Sequence, residues 1–268
     1  MNWLFFGTPE SAETVLKMLT DAGHTPNAIF TNPDRPVGRK QILTPSPVKL
    51  LAESLNIPVH QPEKLKDAEE FLRSTQWDFF IVVAYGKIFP QWLLNIPKHG
   101  CFNVHYSLLP RWRGASCNEA AILAGDEKTG FTIQKMEFEL DKGPITVQCE
   151  YNLTGNETAE DLKAWMSIEA SKSLIEMFPK LATGDFTLTP QNDADATYCT
   201  KIEKKDGELL TTDSDETKWR KYRAYFGWPG VFYFSESGKR IKITKARYEN
   251  NTFVIGRVIP EGEKERDY

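Results

Sequence analysis

Short, wholly apolar runs alternate with helically spaced ones through the first half of the chain. Trp3, Leu4, Phe5 and Phe6 read as a buried strand that stops at the turn Gly7-Thr8-Pro9. Over 11–22, Val15, Leu16, Met18 and Leu19 recur at helical spacing, and Gly23 closes that helix. Residues 27–31 supply a second short strand. Pro47, with Ser46 before it as N-cap, opens a helix over 47–55, and a further helix is expected over 67–75. The run F-F-I-V-V-A at 79–84 is apolar on both faces, as in the middle of a parallel sheet.

Strands and helices in alternation predict a doubly wound, Rossmann-like α/β domain. Such sheets bind ligands beyond the carboxyl ends of their strands, so the loops after Phe6, Ala84 and His105 are expected to meet at one cleft. The first turn lacks the G-x-G-x-x-G pattern, which weakens a dinucleotide reading. One long amphipathic helix is expected over 159–181. Apolar periodicity then fades, and short alternating segments separated by Ser-Gly and Asn-Asn turns predict a small antiparallel β-subdomain. The organisation read from the sequence is a catalytic domain over 1–188, a linker over 189–207 and the β-subdomain over 208–268.

Composition narrows the class. At 268 residues, 40% hydrophobic and 26% charged, the chain has the balance of a folded globular protein. A net charge of -4 excludes a uniformly basic coat but leaves room for a local basic patch. Cys101, Cys117, Cys149 and Cys199 include no C-x-x-C pair, which argues against a zinc knot or disulfide framework and fits a reducing cytosol. No apolar run reaches the length of a bilayer span, and the N-terminus lacks the features of a signal peptide. The expectation is a cytoplasmic protein with no membrane partner.

Candidate chemistry gathers at 100–114. Asn103 and His105 are two apart and project from one face of a strand, where an amide donor beside an imidazole can hold an oxyanion or relay a proton. On spacing alone the pair also fits a solvated strand end. The rigid Ser107-Leu108-Leu109-Pro110 and the downstream Asp141-Lys142-Gly143-Pro144 strengthen the functional reading, although an Asp before such a turn often only caps backbone.

Together, N-x-H-x-S-L-L-P-x-x-R-G and L-D-x-G-x-I resemble the signature of the folate-dependent formyltransferases. The likeness extends to F-G-T-P at 6–9, D-R-P-V-G-R at 34–39, P-S-P-V-K at 45–49 and V-V-A-Y-G at 82–86. The resemblance implies 10-formyltetrahydrofolate as formyl donor, with no metal, and favours methionyl initiator tRNA as acceptor. Asn103, His105 and Asp141 are then the catalytic set: Asn103 and His105 steady the oxyanion. Asp141 either orients His105 or accepts the ammonium proton. The folate is expected near Val83, Ala84, Tyr85, Gly86, Ser107, Leu108, Leu109, Pro110, Phe138 and Leu140. The acceptor is expected near Arg35, Arg39, Lys40, Ile42, Leu43, Arg113, Lys242 and Lys245. A monomer is expected, with the C-terminal β-subdomain OB-like and shortened relative to the family. Cys117, Asn118 and Ser11 depart from the family pattern at a usual proline, apolar residue and aromatic.

Charge supports an RNA acceptor separately. Over 218–247 nine Lys and Arg stand against Glu236, interleaved with Trp219, Tyr222, Tyr225, Phe226 and Trp228, as suits a surface tracking an RNA backbone. Two other readings stand beside this one: a formyltransferase acting on an amino-sugar nucleotide, and a folate- or RNA-binding protein without activity.

Overall fold

A computed structural model describes residues 1–38 and 40–268; Arg39, one of the expected acceptor contacts, lies outside the described residues. The chain divides into two compact units. The first comprises Met1–Arg113, Gly130–Cys149 and Ala164–Ala196, and the second Gly114–Thr129, Glu150–Lys163 and Thr197–Tyr268.

In chain order, β1 (Trp3–Gly7), α1 (Glu10–Asp21) and β2 (Ala28–Phe30) lead into the hairpin β3 (Arg35–Val37) and β4 (Ile42–Thr44). Next come α2 (Pro47–Ser54), β5 (Val59–His60), α3 (Glu69–Arg73), β6 (Phe79–Val83), α4 (Gln91–Leu94) and β7 (Cys101–His105). Then follow β8 (Arg113–Gly114), α5 (Cys117–Ala124), β9 (Lys128–Lys135), β10 (Ile145–Asn152) and α6 (Ala159–Thr183). Beyond these lie β11 (Tyr198–Cys199), α7 (Asp215–Ala224), β12 (Val231–Phe234), β13 (Arg240–Glu249), β14 (Thr252–Pro260) and β15 (Arg266–Asp267).

Seven strands form the main sheet in the order β10-β9-β7-β6-β1-β2-β5. From β7 to β5 the pairings are parallel, and β9 runs antiparallel to β7. The doubly wound α/β reading holds, with an antiparallel edge added. Parallel strands covered on both sides bury every residue, as in β1 and β6. On one side Phe6 stacks on Phe30 at 4.7 Å, with Tyr85 and Phe89 edge-on to it. On the other, Trp3 meets Phe178 of α6 at 5.0 Å. Helix α2 starts where the sequence predicts: the Lys49 amide donates to Ser46 Oγ at 3.1 Å. The helix expected over 67–75 is instead a 3-10 turn, Leu65–Ala68, followed by the short α3, so the chain tightens before Trp77 enters the core.

The second unit contains the small β-subdomain, an antiparallel meander β12-β13-β14-β15. Helix α7 covers one of its faces, with Trp219 stacked on Tyr248 and Tyr222 set against Phe253. No helix among the described residues is long and apolar enough to cross a membrane.

Candidate active site

Strand β7 places Asn103 and His105 on one face, and its register with β9 sets Gln134 opposite Asn103 and Thr132 opposite His105. Asp141 follows β9 in a loop, at a left-handed φ of 54°. Gln134, buried, donates its side-chain N–H to Asp141 Oδ1 at 3.0 Å, and the same oxygen lies 3.5 Å from His105 Nδ1. His105 and the Asp141 carboxylate are almost enclosed, with side-chain exposures of 6% and 8%. The other ring nitrogen of His105 lies 2.9 Å from the Trp112 carbonyl oxygen. Both ring edges therefore face oxygen acceptors, and a neutral ring, carrying one N–H, donates to only one of them. Asn103 is half-buried, and its side-chain amide has no hydrogen-bond partner among the described residues. An unspent donor beside an oriented imidazole is the arrangement that stabilises charge developing on a carbonyl oxygen.

Two residues missing from the sequence-based site support this face. Besides Gln134, Gln191 donates through Nε2 to the carbonyl oxygens of Asp141 and Gly143, each at 2.8 Å. Its Oε1 accepts from Arg113 at 2.8 Å, and Arg113 also pairs with Asp193 at 2.7 Å. Alternation in β9 marks Gln134 as facing the same way as Thr132 and therefore the same way as His105. Nothing local in the sequence marks Gln191.

The structure disperses the other expected contacts. Arg113 is 1% exposed and spent on Gln191 and Asp193, so it anchors the Asp141 loop and does not face an open surface. Ser107 and Leu109 are also enclosed. Ser107 Oγ donates to the Arg111 carbonyl at 2.6 Å, and Thr132 and Gln148 hold the backbone of Ser107 and Leu109. Their part is to fix the turn leaving β7; Leu108 and Pro110 are half-buried beside them. Val83 is sheet core, while Ala84 and Gly86 are exposed at left-handed φ. Between them the Tyr85 hydroxyl is buried without a partner among the described residues, and burial pushes its pKa well up. Phe138 and Leu140 stand 66% and 70% exposed. Phe138 helps to line an open groove of about 650 Å³ with Leu94, Asn95, Gly100, Met136 and Glu139. Gln91, Lys98, Lys135 and Glu137 complete its lining, so the groove is mostly polar and Phe138 is its one exposed apolar side chain among the described residues.

The hairpin β3–β4 exposes Val37, Ile42 and Leu43 by more than half, and Lys40 is exposed beside them. At its base Asp34 accepts from Lys49 and Gln61, each at 2.8 Å, and these bonds hold its carboxyl below the usual range. The two motifs D-R-P and P-S-P-V-K are thus one anchored structure. Arg35 makes only a long contact, 3.5 Å, with Glu63.

In the second unit much of the basic run is internally committed. Lys218, Arg220 and Lys221 pair with Asp215, Glu216 and Asp213, and Arg223 is buried. Lys242 and Lys245 are exposed on β13, on the sheet face that also carries Phe232, Arg257 and Ile259.

Against known proteins, the formyl transferase family model matches residues 1–178. A methionyl-tRNA formyltransferase from Marinobacter nauticus is 42% identical over 92% of this chain and 79% of its own. The methionyl-tRNA formyltransferase of Bartonella henselae is 40% identical over 95% and 84%. Among solved structures, the N-formyltransferase from Helicobacter canadensis, in complex with folinic acid and dTDP-3-aminofucose, shares the fold at a TM-score of 0.71 and 18% identity, covering 93% of this chain and 88% of that one. A 4-N formyltransferase from Francisella tularensis does so at 0.71 and 19%, covering 95% and 96%. The matched span contains the parallel sheet and all three of Asn103, His105 and Asp141, and the chain belongs to the formyl transferase family.

Proposed function

We propose that this chain transfers a formyl group from 10-formyltetrahydrofolate to the amino group of methionyl initiator tRNA. The observation that carries the chemistry is the unpartnered Asn103 amide on the same strand face as His105, with Asp141 held 3.5 Å from the ring. Identity of 40–42% to methionyl-tRNA formyltransferases supports the acceptor.

The folate supplies the formyl group, and the exposed Phe138 and Leu140 beside the Asp141 loop are suited to contact its ring. The attacking amine must be neutral; its lone pair adds to the formyl carbon and the carbonyl oxygen takes up negative charge. Asn103 Nδ2–H donates to that oxygen, a contact worth on the order of 10²–10³ in rate; His105 adds a second donor when its Nε2–H leaves the Trp112 carbonyl. Asp141 keeps the imidazole in place, and Gln134 and Gln191 hold Asp141. The amine sheds one proton and the departing nitrogen gains one, so the site needs only to hold a proton in passing. The enclosed His105–Asp141 pair is suited to that. For the acceptor, the β3–β4 hairpin offers exposed apolar tips with Arg35 and Lys40, and β13 offers Lys242 and Lys245. One chain is the working unit, which light scattering of the active protein checks.

The test is formyl transfer to charged initiator tRNA, run beside amino-sugar nucleotides at equal concentration. We expect turnover on the tRNA alone. Turnover confined to the sugar nucleotides overturns the acceptor, and turnover on neither overturns the enzyme reading.

A further inference from the structure

The four cysteines are far apart in sequence, yet two of them meet. Cys117 Sγ and Cys199 Sγ lie 3.8 Å apart, 82 positions from each other along the chain and both in the second unit. The two sulfurs are not bonded to each other. The backbone around Gly114 sets the approach. Cys117 is the first residue of α5, and its S–H donates to the Gly114 carbonyl at 3.3 Å. Cys199 lies in β11, whose backbone passes so close to Gly114 that an added Cβ there would overlap the Cys199 carbonyl oxygen and lie 3.3 Å from Cys199 Sγ. Gly114 sits at φ 124°, so the absence of a side chain there is what lets the two thiols approach.

We propose that Cys117 and Cys199 are a reversible modification site, joined as a disulfide by exchange with a small-molecule disulfide. Closing from 3.8 Å to a bonded separation near 2.05 Å needs a sulfur movement on the order of 2 Å, within reach of side-chain rotation. Access sets the order of events. Cys199 is half-buried, whereas Cys117 is 6% exposed, so the incoming disulfide meets Cys199. The Cys199 thiolate attacks one sulfur of that disulfide and expels the other half as a thiolate, which takes up the proton Cys199 has lost. The Cys117 thiolate then attacks Cys199 Sγ and expels the second half. Two protein thiols are oxidised, one external disulfide is reduced to two thiols, and both protons leave on those products. Cys101 has no such route, being 1% exposed, with burial pushing its thiol pKa well up.

The test uses the folded full chain incubated with oxidised glutathione, followed by alkylation, digestion and mass spectrometry. We expect loss of two alkylatable thiols together, a linked peptide pair containing Cys117 and Cys199, and full reversal by dithiothreitol. Because the bridge closes a long loop, the oxidised protein should also unfold roughly 5 °C or more above the reduced one. In Cys117→Ser, glutathione should remain attached to Cys199, since the resolving thiol is gone; Cys149→Ser should change nothing. A stable glutathione adduct on Cys199 of the unsubstituted chain, or four thiols still alkylatable after treatment that oxidises the urea-unfolded chain, overturns the proposal. The mapping on the unsubstituted chain decides the matter even if Cys117→Ser folds poorly.

Discussion

Asn103 and Gln134 stand opposite each other across two strands and do different things with the same amide group. Asn103 keeps its amide unpaired among the described residues, and Gln134 spends its amide on Asp141. Asn103→Ala should therefore lower kcat by about 10² or more at unchanged stability, because the lost donor serves only the charge that develops in the reaction. Turnover within a few-fold of the parent would remove Asn103 from the mechanism. Gln134→Leu acts one step further out. It should cut kcat about tenfold by loosening Asp141 while leaving KM for both substrates alone, and Gln134→His, which retains a donor, should recover part of the loss. A purely structural Gln134 would show instead as a lower melting temperature with kcat intact.

Among the elements, β13 shows how geometry selects from a charged run. Lys242 and Lys245 are three apart, and in a regular strand they would point to opposite faces. The register breaks between Ile243 and Ala246, so that Lys242 pairs with Ile259 and Lys245 with Arg257, two positions that share a face. The bulge thus gathers cations that alternation would separate. Reversing both charges, Lys242→Glu with Lys245→Glu, should raise KM for tRNA and flatten its salt dependence between about 50 and 200 mM while kcat holds. An unchanged salt slope would send the tRNA contact elsewhere. The same reversal at Lys218 and Lys221 is a poor control, because these cations already hold carboxylates within the fold.

At the scale of the folded chain, stability has a titratable component in the second unit. Burial raises the Asp213 carboxyl, but Lys221 at 2.7 Å and the Leu210 amide more than offset this and hold it below the usual carboxylate value. A carboxyl depressed in the folded state adds stability that is fully present above its unfolded pKa, near 4, and is lost as pH falls through the folded value. Asp213→Asn should destabilise the protein by about 1–2 kcal/mol at pH 7, and the difference from the parent should shrink below roughly pH 4. Thermal melts of both proteins across that range give the comparison; a gap that persists at pH 3 would mean the residue acts through shape and not charge.

The strands, the capped helix at Pro47 and the pairing of Asn103 with His105 were legible in the sequence, because periodicity, caps and two-residue alternation are local properties. The resemblance named Asp141, which the structure sets 3.5 Å from His105. Contacts between distant segments were not legible. Gln191 reaches Asp141 from fifty positions away, and Arg113 reaches Gln191 from seventy-eight, so neither leaves a trace in local pattern. For the same reason Arg113, Ser107 and Leu109 read as binding residues in sequence, where an arginine or a serine near a catalytic motif looks available; only packing shows that they are spent on the scaffold. The meeting of Cys117 with Cys199, and of Lys242 with Lys245 on one face, was likewise decided by chain crossings and a register shift. Local preferences fix which elements form, while the positions of side chains that cooperate across them depend on how the backbone is brought together.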